Sequence, residues 1–208
     1  MTEKVIQFRE TQIEQAISQI EGAWKNTILP ALNLVYGLDL EDPNFDDTPK
    51  RIAKALVLEK CRGICPKEKL KELLGVRFPS KYTGMVKVGP IDTVGLCPHH
   101  FENVVYKVHF GYIPNNKVKD NVVGLSKIIR FIDFLSRAPI LQEDYTKSIV
   151  DNFQEYLSPS GCMAVVKGQH GCMTCRGVKI TTDCWITTSE VRGEFEICDS
   201  IKQEFLKI

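Results

Sequence analysis

The chain has 208 residues, 43% hydrophobic and 25% charged, the composition of a globular protein of one domain, or one domain with an appendage, rather than of a disordered or fibrous chain. Its 27 Lys and Arg against 26 Asp and Glu leave a net charge of +1, which removes any whole-chain electrostatic case for nucleic acid or a membrane surface as partner. No run approaches the ~18 uninterrupted apolar residues of a membrane span, and Met1-Thr2-Glu3-Lys4-Val5 lacks the basic stretch and apolar run of a secretory signal, so a cytoplasmic location with reduced cysteines is expected.

The first third reads as helical. Ile13, Ile17, Ile20 and Trp24 recur at the spacing of an amphipathic stripe, with Glu10, Gln12, Glu14, Gln15 and Gln19 on the wet side, until Pro30 interrupts or kinks the pattern. Asp47-Thr48-Pro49 places capping side chains before a proline suited to a first helical position, predicting a second helix over 50–60. Arg51 and Lys54 share one of its faces.

From about residue 84 the period changes. Residues 103–113 alternate, with Tyr106, Val108, Phe110 and Tyr112 on one face and Val105, Lys107 and His109 on the other, which predicts a half-buried antiparallel strand. Residues 84–94 are its hairpin partner, so Cys97 to His100 falls at their connection. Two helices follow, one on the stripe Leu125, Ile128, Ile129, Ile132, Leu135 and one on Ile149, Phe153, Tyr156, Leu157. Strands over 162–167 and 178–188 and a short helix from 199 to 208 close the chain. This order predicts an α+β fold, an antiparallel four-stranded sheet with helices on one face. An N-terminal helical region over 1–62 precedes the main domain over 63–208.

Eight cysteines in a reduced compartment call for metal ligation or plain core packing. Cys97-Pro98-His99-His100 offers a thiol and an imidazole three residues apart, and Cys172-Met173-Thr174-Cys175 offers two thiols at the same spacing. These are zinc's preferred ligand types, presented in pairs by short turns. Four ligands, Cys97, His100, Cys172 and Cys175, would close the coordination sphere and make a structural site; three would leave a position for water. On extended backbone Cys172 and Cys175 would point to opposite faces, so both reach one metal only through a turn. Inert buried thiols beside a histidine pair are the alternative. His99 and His170 flank the candidate ligands and have the chemistry of proton carriers near neutral pH. Gly124-Leu125-Ser126-Lys127 with Arg130 opens a helix with backbone N–H groups, a hydroxyl and two cations, an anion seat or else a solvated face. Arg176 adds a cation after Cys175.

Taken together, Cys97-Pro98-His99-His100, Gly124-Leu125-Ser126-Lys127-Ile128-Ile129-Arg130, Gln142-Glu143 and His170-Gly171-Cys172-Met173-Thr174-Cys175-Arg176-Gly177 resemble the GTP cyclohydrolase I family, in order and separation. The likeness runs from Asp47-Thr48-Pro49 to Glu204-Phe205-Leu206. It implies a tunnelling fold assembled as a decamer of two pentamers, with active sites between subunits, and conversion of GTP and water to 7,8-dihydroneopterin triphosphate and formate. It further implies Zn²⁺ held by Cys97, His100 and Cys172, proton transfer by His99 and His170, and Glu143 beside Gln142 reading the guanine edge. Ser126, Lys127, Arg130 and Arg176 would contact triphosphate or ribose, and Arg51 and Lys54 would be contributed by a neighbouring subunit. Five of these are cations, which explains how a nearly neutral chain binds a polyanion. Three positions depart from the family pattern. Pro98 stands where members usually carry Glu, Asp144 where a basic residue commonly follows, and Cys175 where a non-ligand is usual. These departures leave open a divergent enzyme that hydrolyses a purine nucleotide to another product, or a non-catalytic oligomer with a structural Cys3His zinc site.

Overall fold

The computed structural model describes residues 3–63, 67–179 and 184–207. The chain divides into two compact units, Met1–Arg62 and Gly63–Ile208.

In the first unit α1 (Glu3–Ala23) leads through a widened turn, Trp24–Ile28, into α2 (Leu29–Tyr36). Pro30 stands in the first turn of α2, directly after the widened turn, and Gly37, at φ 60°, ends the helix. The second helix is α3 (Thr48–Lys54), followed by another widened turn, Ala55–Lys60. Asp47 does not cap it through its side chain as the sequence predicts. Its backbone is left-handed, φ 57°, whereas a capping side chain reaches the first turn from an extended backbone; the Asp47 carbonyl instead accepts from Arg51 N–H at 2.8 Å.

The second unit opens with a helix that the sequence reading passed over, α4 (Lys67–Leu74), which buries Leu70, Leu73 and Leu74. Then come β1 (Arg77–Phe78), β2 (Val86–Leu96), β3 (Asn103–Ile113), β4 (Val122–Val123), α5 (Leu125–Ser136), α6 (Gln142–Leu157), β5 (Gly161–His170), α7 (Gly171–Thr174), β6 (Ile186–Gly193), α8 (Glu194–Ile197) and α9 (Asp199–Leu206). Strands β2, β3, β5 and β6 form one antiparallel sheet in that order, and β1 pairs with β4. The α+β class and the four-stranded antiparallel sheet are as expected. The last strand starts later than the predicted 178, at Ile186; residues 180–183 of that prediction lie outside the described residues.

Alternation along β3 and β5 divides the core. Tyr106, Val108, Phe110 and Tyr112 with Cys162, Ala164 and Val166 pack beneath α5 and α6, together with Ile128, Phe131, Ile149 and Phe153. Leu125 and Ile129 of the predicted stripe remain exposed, and Phe131 takes their place in the core. On the other face Ile113, Met163 and Val165 meet Phe195 of α8 and Phe205 of α9, so short C-terminal helices cover part of the face opposite the two long ones. Gly111 makes room there, since a Cβ would lie 2.7 Å from the Phe205 ring.

Two bonds orient α5. The Val123 N–H, just ahead of the helix, donates to Tyr112 Oη at 3.3 Å, while Ser136 Oγ, in its last turn, donates to the Val94 carbonyl at 3.1 Å. The helix therefore starts at the Tyr112 end of the sheet and finishes at the end where β2 meets β3. Among the described residues no helix is long and apolar enough to cross a membrane.

Candidate active site

The β2–β3 connection is a tight turn closed by two backbone bonds, Cys97 N–H to the Glu102 carbonyl and Phe101 N–H to the Cys97 carbonyl, each 2.9 Å. It leaves Cys97 5% exposed and lifts His99 and His100 outward, their rings 6.5 Å apart and nearly perpendicular. Antiparallel register sets Val104 of β3 beside His170 of β5, so the chain leaving β5 enters α7 next to this turn. A Cβ on Gly171 would lie 3.0 Å from both the Asn103 carbonyl and Glu102 Cβ. The absent side chain lets the two cysteine-bearing turns abut.

α7 resolves the question of Cys172 and Cys175. Gly171–Thr174 is one helical turn with Cys175 at its end, so the two thiols share a side of a turn rather than opposite faces of a strand. Cys172 is half-buried and Cys175 exposed.

Behind the turns, Gln142 fixes His170. At the first position of α6 and 2% exposed, it donates from Nε2 to the Val166 carbonyl at 3.1 Å, the Ile186 carbonyl at 2.9 Å and Thr188 Oγ1 at 3.2 Å. Two carbonyl partners can only accept, so the amide nitrogen faces them and Oε1 faces His170 Nε2 at 2.8 Å. The imidazole therefore carries a proton on Nε2, leaving Nδ1 as its exchangeable position. Burial lowers the His170 pKa, with the Glu143 carboxylate opposing the shift and His99 adding to it. Gln142 was expected to touch substrate beside Glu143; its amide is engaged within the chain, while Glu143 is exposed on the first turn of α6. A backbone bond from Ile140 N–H to the Leu96 carbonyl, 3.2 Å, holds this helix start against the strand end that carries Cys97.

The sequence reading placed Tyr106 on the core stripe and found nothing more in it. The structure buries the residue completely and leaves its Oη without a hydrogen-bond partner. The only sequence signal is a tyrosine where phenylalanine would fill the same core.

Two thiols and an imidazole, from Cys97, His100 and Cys172, are donors suited to zinc, and they stand on abutting turns. As the side chains are oriented, no group of three or more His, Cys, Asp or Glu among the described residues converges closely enough to hold a metal ion. The donor set fits zinc by its chemistry, on turns that abut at Gly171.

The anion-seat residues lie elsewhere. Ser126, Lys127 and Arg130 occupy the first turns of α5, at the Tyr112 end of the sheet. Cys97, His170 and Cys172 lie toward the other end, beyond the last turn of α5 that is bonded to Val94; at about 1.5 Å per helical residue and 3.3 Å per strand residue, Lys127 and Arg130 stand roughly 20–25 Å from them. Arg176, exposed, follows α7 on the cysteine side. Arg51 and Lys54 lie on α3 in the first unit, where Arg51 Nη2 donates to Thr48 Oγ1 at 2.7 Å and the Asn44 carbonyl at 3.2 Å. Asp144 is exposed beside Glu143, and half-buried Pro98 opens the β2–β3 turn.

Comparison with known proteins gives one family model, GTP cyclohydrolase I, matching residues 25–208. Among curated proteins, the chain is 36% identical to the GTP cyclohydrolase 1 of Gloeobacter violaceus over 92% of this chain and 89% of that one. It is 37% identical to that of Clostridium perfringens over 88% and 97%, and 34% identical to that of Bacteroides fragilis over 96% and 96%. Among solved structures, the archaeosine synthase QueF-Like in its apo form matches with a TM-score of 0.41 and 14% identity, over 54% of this chain and 97% of that one.

Proposed function

The chain belongs to the GTP cyclohydrolase I family, and on that premise we propose that it hydrolyses GTP to 7,8-dihydroneopterin triphosphate and formate in the cytoplasm. The observation that carries the reading is the joining of Cys97, His99 and His100 on one turn to His170 and Cys172 on the abutting one, with Glu143 at the helix start held against them.

Cys97, His100 and Cys172 would hold a zinc ion, which supplies Lewis acidity toward the hydrolytic water. The chain's own groups do the rest. Glu143 accepts from the guanine N–H groups and so orients the purine. His170 is held by Gln142 through Nε2, and takes and returns the proton at Nδ1; because burial disfavours its charged form, it is available as a base near neutral pH. His99, exposed on the facing turn, is the second proton carrier. Arg176, Lys127, Arg130 and Ser126 bind the triphosphate and ribose, with Arg51 and Lys54 contributed by a neighbouring copy.

The separation of the α5 start from the cysteine turns supports a site completed by a second copy. The four-stranded sheet ends in β2 and β6 as edges, which neighbouring copies can join into rings, in keeping with a decamer of two pentamers.

Incubation of the zinc-loaded protein with GTP, following formate and pterin together, tests the reading. Equal amounts of formate and dihydroneopterin triphosphate are expected. Formate without pterin would replace it with a ring-opening enzyme of different product, the reading that Pro98, Asp144 and Cys175 favour. Tightly bound zinc without turnover would leave a structural metal site.

A further inference from the structure

Among the described residues two buried side-chain polar atoms lack a hydrogen-bond partner, Tyr106 Oη and His109 Nδ1. They belong to opposite faces of β3, since residues an odd number apart on a strand point to opposite sides. Tyr106 is on the face that carries the candidate site.

Glycines on both neighbouring strands seat the Tyr106 ring. A Cβ on Gly95 of β2 would lie 2.6 Å from Tyr106 Cε2, and one on Gly168 of β5 would lie 3.0 Å from Cε1. Tyr106 is paired across the sheet with Thr93 and Gly168, so contact with Gly95 means that the ring leans along β2 toward its end. Cys97 is the next residue beyond Gly95 on that face, and His170 the next beyond Gly168. The ring edge meets the His170 ring at a centroid distance of 6.4 Å and 89°. Beyond the two glycines, Oη is therefore aimed between Cys97 and His170.

His170 Nε2 is already bonded to Gln142, and the Cys97 backbone N–H to Glu102. Two acceptors are left there, His170 Nδ1, which the proposed reaction uses for proton transfer, and the Cys97 sulfur, buried and without a donor among the described residues. As a thiol it asks for none. As a metal-bound thiolate in a dry setting it needs one, because a buried anion without donors is costly and donors to a ligand atom orient it.

We propose that Tyr106 is a positioning residue of the metal site, its Oη–H donating to the Cys97 sulfur when that sulfur is a zinc-bound thiolate. The phenol keeps its proton, and the hydrogen bond fixes the direction of the Cys97 ligand and the electron density on its sulfur. The inference rests on the zinc reading above and assigns Tyr106 a role that the side chain could not have if it were core filling alone.

The test compares wild type, Tyr106→Phe and Tyr145→Phe. Tyr145 is the control, a phenol in the same core whose Oη already donates to the Ile132 carbonyl at 3.0 Å. Zinc affinity is measured by chelator competition, and cobalt(II) replaces zinc so that the thiolate-to-metal charge-transfer band reports on sulfur. Tyr106→Phe is expected to weaken zinc binding about 10-fold and move the band to lower energy, while the metal-free protein melts at or above the wild-type temperature because no existing bond is lost. Tyr145→Phe is expected to lower the melting temperature and leave the band in place. Unchanged affinity and band in Tyr106→Phe, a fall in its metal-free melting temperature, or an equal band shift in Tyr145→Phe would each overturn the proposal. Wild type that binds neither zinc nor cobalt defeats the zinc reading itself, and the proposal with it, an outcome distinct from two variants that bind alike.

Discussion

Gln142 Oε1 lies 2.8 Å from His170 Nε2, and the same amide spans to β5 and β6 through the Val166 and Ile186 carbonyls. One side chain thus joins the start of α6, two strands and the histidine proposed to move protons. Gln142→Leu should destabilise the protein by about 2 kcal/mol, since buried carbonyls and an imidazole lose their partner together, and should reduce kcat further than the fall in melting temperature explains. Gly168→Ala tests the same joint without removing either partner, because its Cβ would stand 2.2 Å from Gln142 Oε1 and must push the amide off His170. Denaturant melts and steady-state kinetics read both, and a Gln142→Leu protein as stable as wild type would refute the joint.

The two thiols of α7 differ in burial, Cys172 half-buried beside the β2–β3 turn and Cys175 exposed. Cys172→Ala is expected to abolish zinc binding and Cys175→Ala to retain it, measured as metal content after dialysis. Equal loss in both would make the site a closed set of four.

A separate prediction concerns acid stability. Asp151 on α6 accepts from Arg192 of β6, Nη2 to Oδ1 at 2.6 Å, and pairs with Lys147 one turn earlier. Burial alone would raise the Asp151 pKa, but the bonds from Lys147 and Arg192 outweigh it and hold the carboxyl below its ordinary value. A carboxyl depressed on folding stabilises the native state above its unfolded pKa, and that contribution fades as pH falls through the folded pKa. Because Asp151 is 39% exposed, solvent screening limits the term to about 1 kcal/mol or less. Asp151→Asn should therefore melt lower than wild type at pH 7 and converge with it in acid; a difference that widens toward low pH would contradict the assignment.

How far the sequence could be read varied with the kind of signal. β3 was legible to its ends because Tyr106, Val108, Phe110 and Tyr112 alternate without a break and all face a core. Helix α4 was not, since its short run is mostly Lys and Glu around three leucines. The Asp47 cap misled because backbone sign is invisible in composition, and the last strand was expected too early because Val178 is as strand-prone by residue type as the residues from Ile186 onward. Within the site, residue types located the cysteines and histidines, but chain connectivity alone could not reveal that α5 begins at the far end of the sheet from them. The Gln142 bonds and the Tyr106 orphan depend on contacts between strands far apart in sequence.

The central claim is that GTP is hydrolysed at a site assembled from two copies, with Cys97, His170 and Cys172 at one end of the sheet and Lys127 and Arg130 at the other. Complementation tests it most directly. Cys172→Ala and Lys127→Ala proteins, each inactive alone, are unfolded together, refolded as mixed oligomers and assayed for formate release from GTP. Random mixing in a closed ring should restore activity to about a quarter of the wild-type sites. A mixture as inactive as its parents, or a Lys127→Ala protein fully active alone, would contradict the account.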